Sequence, residues 1–268
     1  SSREVRTKVV PAEQLTAARY QDWVRARRAE VHAAGCGRVG YVHVPDNDAA
    51  GFAAFHRSFH VEVATREAIV VDARGNTGGY CSELLLRSLA ETPRTWEVPR
   101  YGACNPTPTA ALVSGQATLL VDHATSSDAE IMALHFRRLG SAKSPPWQIV
   151  GSRTWGGVLT TESCTLVDGS TMSNAVSANA FVGGASEDLG VGHHVIIENV
   201  GIIPDVVVAA KAGAEGDAQL RAAVRVASKA LAARSPLPVP HMPRSRFATH
   251  PAVFPRTVRH LRAEDVSR

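Results

Sequence analysis

A chain of 268 residues, 44% hydrophobic and 20% charged, is long enough to bury one full core and too apolar to be a disordered segment. No run of 18 uncharged apolar residues occurs, so no membrane-spanning helix is expected. The opening SSREVRTKVV lacks the apolar stretch of a signal peptide. The net charge of +4 sits in residues 235–268, where six Arg face only Glu264 and Asp265, so the remaining body is neutral and offers nucleic acid no basic footprint.

In chain order, residues 12–34 form a charged helical stretch with Tyr20, Val24, Arg27 and Val31 on one face and Gly35 as its stop. This stretch reads as a connector from a preceding domain. Residues 38–45 read as a strand, followed by a helix with Phe52, Phe55 and Phe59 at core spacing. Residues 67–73 hold the continuous apolar run Ile69-Val70-Val71, expected of a strand buried on both faces. After the loop GNTGG comes a helix with Leu84, Leu85, Leu86 and Leu89. The unit recurs as a strand over 115–122, the loop HATSSD, and a helix over 129–139 closed by Gly140. A strand at 147–151 precedes a hairpin turning at Asp168-Gly169. The glycine-rich stretch 183–192 leads to HHVIIENVGIIPDVVV. A last helix then places Leu220, Val224, Ala227 and Leu231 on one stripe. The tail from 235 holds six prolines and reads as irregular. The pattern is α/β with one mostly parallel sheet in a single core domain. Its divisions are a connector over 1–37, the α/β domain over 38–234, and the tail over 235–268.

Four cysteines (Cys36, Cys81, Cys104 and Cys164) show no CxxC and no metal spacing, which suits reduced thiols in a cytoplasmic protein. No cofactor or metal is implied. The GCGRVG run, with Gly35, Gly37 and Gly40, precedes a strand rather than following one, the wrong context for a dinucleotide. His56 and His60 share a helical face without the acidic residue of HExxH between them, and read as surface or edge-of-core histidines. His193-His194 fits a base or a plain loop. GxSxG is absent, which disfavours an α/β-hydrolase elbow.

Working residues in parallel sheets gather beyond the carboxyl ends of the strands. Two loops qualify. Arg74-Gly75-Asn76-Thr77-Gly78-Gly79 precedes a helix and offers free amides to an anion. Thr125-Ser126-Ser127-Asp128 presents a hydroxyl at a helix N-terminus. Read alone, the first is a turn and the second an N-cap cluster.

Taken together and in order, RVGYVHVPD, VDARGNTGG, the Ser-Ser-Asp loop, GSRTWGG, VDGS and IENVGIIPDV resemble the C-terminal half of the tricorn-type, tail-specific serine proteases. The resemblance runs from about Glu13 to Val208. It implies a crotonase- or ClpP-like α/β fold, with Ser127 as nucleophile and the amides of Gly79 and Asp128 as the oxyanion hole. It implies Glu198 as support for the catalytic base, Thr77 and Gly78 along the substrate backbone, and Glu97 in a pocket for basic side chains. Thr77 stands where the family more often has glycine, and the match at Glu97 crosses a one-residue length difference. The family's base histidine lies before a PDZ-like domain, and none of this chain's histidines aligns with it. The expectation is a serine peptidase acting on peptides, incomplete by itself and self-associating as the family's hexamer does. The alternatives are an inert peptide-binding or truncated domain, and a crotonase-like acyl-thioester enzyme.

Overall fold

Alternation along the strands decides the layering. The structure is a computed structural model, and it describes residues 9–92, 95–97, 105–106, 115–179, 197–209 and 216–234. In chain order the elements are α1 (Ala12–Ala34), β1 (Val39–His43), α2 (Ala49–Val63), β2 (Ala68–Asp72), α3 (Ser82–Ala90), β3 (Trp96–Glu97) and β4 (Asn105–Pro106). They continue with β5 (Gln116–Val121), α4 (Asp128–Ser141), β6 (Gln148–Gly151), β7 (Thr160–Thr165), β8 (Thr171–Ser177), β9 (Val206–Val207) and α5 (Ala218–Ala233).

Strands β1-β2-β5-β6-β9 form one sheet in that order, and every neighbouring pair is parallel. Successive strand side chains point to opposite faces. Ile69, Val71, Leu119, Val121 and Ile149 therefore pack with α2, α3 and α4, while Val70, Leu120 and Val150 pack with α1 and α5. Burial on both faces explains why β2 reads as an unbroken apolar run rather than an alternating one. The result is a mixed α/β fold with a parallel central sheet between two helical layers. Among the described residues no helix is long and apolar enough to cross a membrane.

Helix α1 adds Val24 and Val31 to the second layer. It is tied to α2 through the buried Glu62 carboxylate, which meets Arg28 Nε at 3.1 Å and His32 Nε2 at 2.8 Å. The hairpin β7–β8 turns at Asp168-Gly169 and stands largely exposed. One local expectation is corrected. Gly140 does not close α4, which runs on to Ser141; glycine is needed there because a Cβ would meet the Trp147 side chain at 2.3 Å. Leu84 is exposed while Leu85, Leu86 and Leu89 are buried, since three consecutive helical residues cannot share one face. Cys104, the stretch 183–192, His193-His194 and the tail from 235 lie outside the described residues.

Candidate active site

Strands β2 and β5 are adjacent and parallel, so the loops that leave their carboxyl ends emerge side by side. The first loop carries Asn76, Thr77, Gly78 and Gly79; the second carries Ser126, Ser127 and Asp128. Asn76 joins them. Its buried side-chain amide donates to the Val44 carbonyl at 3.1 Å and Asn47 Oδ1 at 2.9 Å, and its Oδ1 accepts from Gly78 N–H at 2.8 Å. Its carbonyl accepts from Ser126 N–H at 2.9 Å.

Ser127 adopts φ 56° and ψ −129° at the start of α4. A non-glycine residue in such a conformation costs about 1–3 kcal/mol and persists only where its surroundings impose it. Here they do. Ser127 N–H donates to the Gly157 carbonyl at 2.9 Å and to Glu130 Oε2 at 3.2 Å. Glu130 is fully buried, and its carboxylate also accepts from Thr154 Oγ1, from Gly156 N–H at 2.8 Å and from Gly157 N–H at 2.9 Å. A buried carboxylate needs such a full set of donors to offset desolvation. Glu130 thereby fixes the serine turn to the GSRTWGG loop.

Gly78 lies directly against Ser127. A Cβ at Gly78 would fall 2.7 Å from Ser127 Cβ, 3.0 Å from Ser127 Oγ and 2.9 Å from the Asp128 nitrogen. Gly79, at φ 145°, presses on Asn47, whose carbonyl accepts from Tyr80 and Cys81 N–H at 2.9 and 2.7 Å. Among the described residues neither Gly79 N–H nor Asp128 N–H has a protein acceptor. Two free amides from two loops beside one hydroxyl can stabilise an oxygen that gains negative charge. The Asp128 side chain holds that spacing, because its carboxylate accepts from Ser82 N–H at 3.1 Å, Ser82 Oγ at 2.6 Å and Asn47 Nδ2 at 3.0 Å.

A cleft of about 340 Å³ opens over these groups. Thr77, Gly78, Gly79, Ser127 and Asp128 line one part of it, and residues 158–161 line another, with no histidine among its described lining residues. Glu198 sits behind the second part. Its Oε2 accepts from Val158 N–H at 2.7 Å and Leu159 N–H at 3.2 Å. Asn199 N–H donates to the Gly156 carbonyl at 2.7 Å, so the IENVG and GSRTWGG segments are stitched together. Six of the seven residues singled out from the sequence thus gather around the cleft. Glu97 does not: it lies exposed in the separate β3–β4 pair and is not among the lining residues.

Beneath the glycine loop, Arg74 grips Asp72 through Nε at 2.9 Å and Nη2 at 2.7 Å, and reaches Asp217 through Nη1 at 3.0 Å. Asp217 caps α5 by accepting from Leu220 N–H at 2.9 Å, and Tyr41 OH donates to the fully buried Asp72 at 2.9 Å. Nearby, Tyr20 OH and His43 Nδ1 are 2.7 Å apart. Burial, then Asp46 and Asp72, push the Tyr20 hydroxyl up to about 12, so it remains a donor. That leaves the His43 proton on Nε2, aimed at the Arg74 carbonyl 3.4 Å away. Burial holds the His43 imidazole below its ordinary value despite the nearby Asp72 carboxylate.

Sequence reasoning missed Asn76, Ser82, Glu130 and Thr154. For Glu130 a signal existed, since Ser127-x-x-Glu130 has capping-box spacing.

The sequence pattern of "Peptidase family S41" matches residues 38–208. The chain is 34% identical over 189 residues to the tricorn protease of Thermoplasma acidophilum, covering 70% of this chain and 16% of that protein. It is 37% identical over 227 residues to tricorn protease homolog 1 of Streptomyces coelicolor, covering 83% of this chain and 20% of that protein. The crystal structure of the tricorn protease superposes with a TM-score of 0.59 at 28% identity, over 81% of this chain and 18% of that one. The chain therefore spans about a fifth or less of the length of these relatives. A match running from the first strand of the sheet to the last, through both cleft loops, leaves one conclusion: the chain belongs to peptidase family S41.

Proposed function

We propose that this chain is the serine-nucleophile domain of a cytoplasmic serine peptidase that cleaves peptides through an acyl-enzyme on Ser127. The observation that carries the reading is the meeting of Gly78, Ser127 and the free Asp128 amide at one point of the cleft. Ser127 Oγ attacks the peptide carbonyl and gives its proton to a base. The carbonyl oxygen takes the electron pair and is held by Gly79 and Asp128 N–H. Collapse of this intermediate expels the amine, which takes the proton back from the base, and water then releases the acyl group. The base is an upstream histidine, in a segment before a PDZ-like domain, to which none of this chain's histidines aligns; Glu198 helps to orient it. Thr77 and Gly78 run along the substrate backbone.

In the same reading, residues 1–37 are a connector, the end of a PDZ-like domain plus a helix, and residues 235–268 form a Pro/Arg-rich irregular tail. The chain assembles with copies of itself as a hexamer. Glu97, exposed and not among the residues that line this chain's own cleft, supplies a neighbouring subunit's pocket with a charge for Lys or Arg before the cut.

The test is hydrolysis of fluorogenic peptides by the chain fused to, or mixed with, a histidine-bearing upstream domain. Cleavage after Lys or Arg is expected only in the reconstituted enzyme and is abolished by Ser127→Ala. Glu97→Gln should weaken the preference for basic residues while sparing good neutral peptides. Peptide binding without cleavage in every reconstitution would favour an inert peptide-binding domain. Undiminished activity in Ser127→Ala, or thioester hydrolysis independent of it, would favour the crotonase-like chemistry.

A further inference from the structure

Helix α2 buries Gly51, Phe55, Phe59, Glu62 and Val63. Each residue advances the helical wheel by about 100°, so the residues following Phe55 and Phe59 are carried round towards solvent. Those residues are His56 and His60, one turn apart, the first exposed and the second half-exposed. Their Nε2 atoms converge to 3.0 Å, and their ring centroids are 4.2 Å apart. Both rings are braced from the core side, His56 against Phe52 at 5.6 Å and His60 against Phe59 at 6.3 Å between centroids. Neither histidine is among the described residues that line the cleft.

We propose that His56 and His60 form a two-histidine chelate for a divalent late first-row metal ion, with copper preferred. Imidazole binds such ions at about 2.0–2.1 Å. Two nitrogens in neighbouring positions of a square-planar or tetragonal ion are then about 2.9 Å apart, and in a tetrahedral ion about 3.3 Å apart. The observed 3.0 Å, an ordinary hydrogen-bond length, brings both nitrogens within reach of one ion, and the preference for copper follows the general affinity order of divalent ions. The helix fixes the spacing before the ion arrives, because Phe55 and Phe59 anchor its opposite side in the core.

Free of metal, the contact is a hydrogen bond, one Nε2–H donating to the other Nε2 lone pair. On binding, the donating ring moves its proton to Nδ1 by exchange with water, so both Nε2 lone pairs face the ion and the net charge of the pair is unchanged. Among the described residues no group of three or more His, Cys, Asp or Glu is placed to hold a metal, so water completes the coordination. The site is a surface chelate rather than a closed structural site.

The experiment is titration of the purified chain with copper, nickel and zinc chlorides, followed by calorimetry and thermal unfolding. One equivalent should bind, copper ahead of nickel and zinc, following the general affinity order for divalent ions. At a hundredfold excess over Kd the melting temperature should rise by about 5–10 °C. His56→Ala and His60→Ala should each lower copper affinity at least tenfold and abolish the thermal shift. Alanine is the best helix former, so α2 should fold in both variants, and far-ultraviolet circular dichroism checks this. Ser127→Ala should bind copper as the parent does, which separates this site from the peptidase reading. Copper binding unchanged in both histidine variants, or zinc bound more tightly than copper at this pair, would overturn the proposal.

Discussion

The Asp128 carboxylate and Ser82 are joined twice, through the Ser82 amide at 3.1 Å and the Ser82 hydroxyl at 2.6 Å. This pairing couples the first turn of α4 to the first turn of α3, and each turn follows one of the loops that offer a free amide. The side chain of Asp128 therefore sets the separation of two donors, one of which is its own backbone. Asp128→Ala keeps the amide and removes the brace. The expected outcome is a 10- to 100-fold fall in kcat with KM within threefold, read on the reconstituted peptidase. Leaving Ser82 N–H and Asn47 Nδ2 without their acceptor should also cost about 1–3 kcal/mol of stability in urea unfolding.

Two glycines of one loop separate steric from conformational effects. Gly78 and Gly75 both have positive φ, 101° and 72°. A Cβ at Gly78 strikes Ser127, whereas one at Gly75 meets nothing within 4 Å. Gly78→Ala should reduce kcat by more than 100-fold. Gly75→Ala should lower stability by only about 1 kcal/mol and keep activity within threefold. Equal losses in the two variants would show that backbone strain, not contact with Ser127, governs the site.

Glu130→Gln replaces a carboxylate that receives four donors with an amide that must turn a donor of its own towards some of them. Buried hydrogen bonds to a charged group contribute about 1.5–3 kcal/mol each, and leaving partners unmatched costs the most. A loss of about 2–4 kcal/mol is expected from chemical denaturation. Freed from its clamp, Ser127 should relax from its strained conformation, so cleavage should fall beyond what the loss of folded protein explains.

Acid should loosen the glycine loop through His43. Its imidazole is held below the ordinary value of 6.5 by burial, so the unfolded chain binds the proton more readily than the folded one. Stability from this group is present above about pH 6.5 and is lost as pH falls below it, because protonation favours the unfolded state. Nε2 faces the Arg74 carbonyl, and Nδ1 would gain a proton facing Tyr20 OH. Denaturation midpoints from pH 7.5 to 5 should decline in the parent, and less steeply in His43→Gln. Parallel curves would remove His43 from the account.

The layering was legible in the sequence because buried parallel strands are written as apolar runs, as in Ile69-Val70-Val71. The loop that holds Ser127 was legible because it occupies a strand-to-helix turn. The residues that secure the site were not. Asn76, Glu130 and Thr154 are common polar residues whose meaning lies in partners brought close only by folding; Asn76 meets Val44 from 32 positions away, and Glu130 meets Gly157 from 27. Gly140 was misread as a stop because the rule for helix ends uses the local sequence, while its real constraint is the Trp147 side chain laid across it.

The clamp on Arg74 has a consequence for synthesis. Its second anchor, Asp217, lies 143 residues further along the chain. At about 5–20 residues per second, about 7–29 seconds separate the translation of the two. A nascent chain that has emerged only past Ser127 carries both cleft loops but not the outer hold on Arg74. The Arg74–Asp217 tie is thus deferred until the start of α5 has been made.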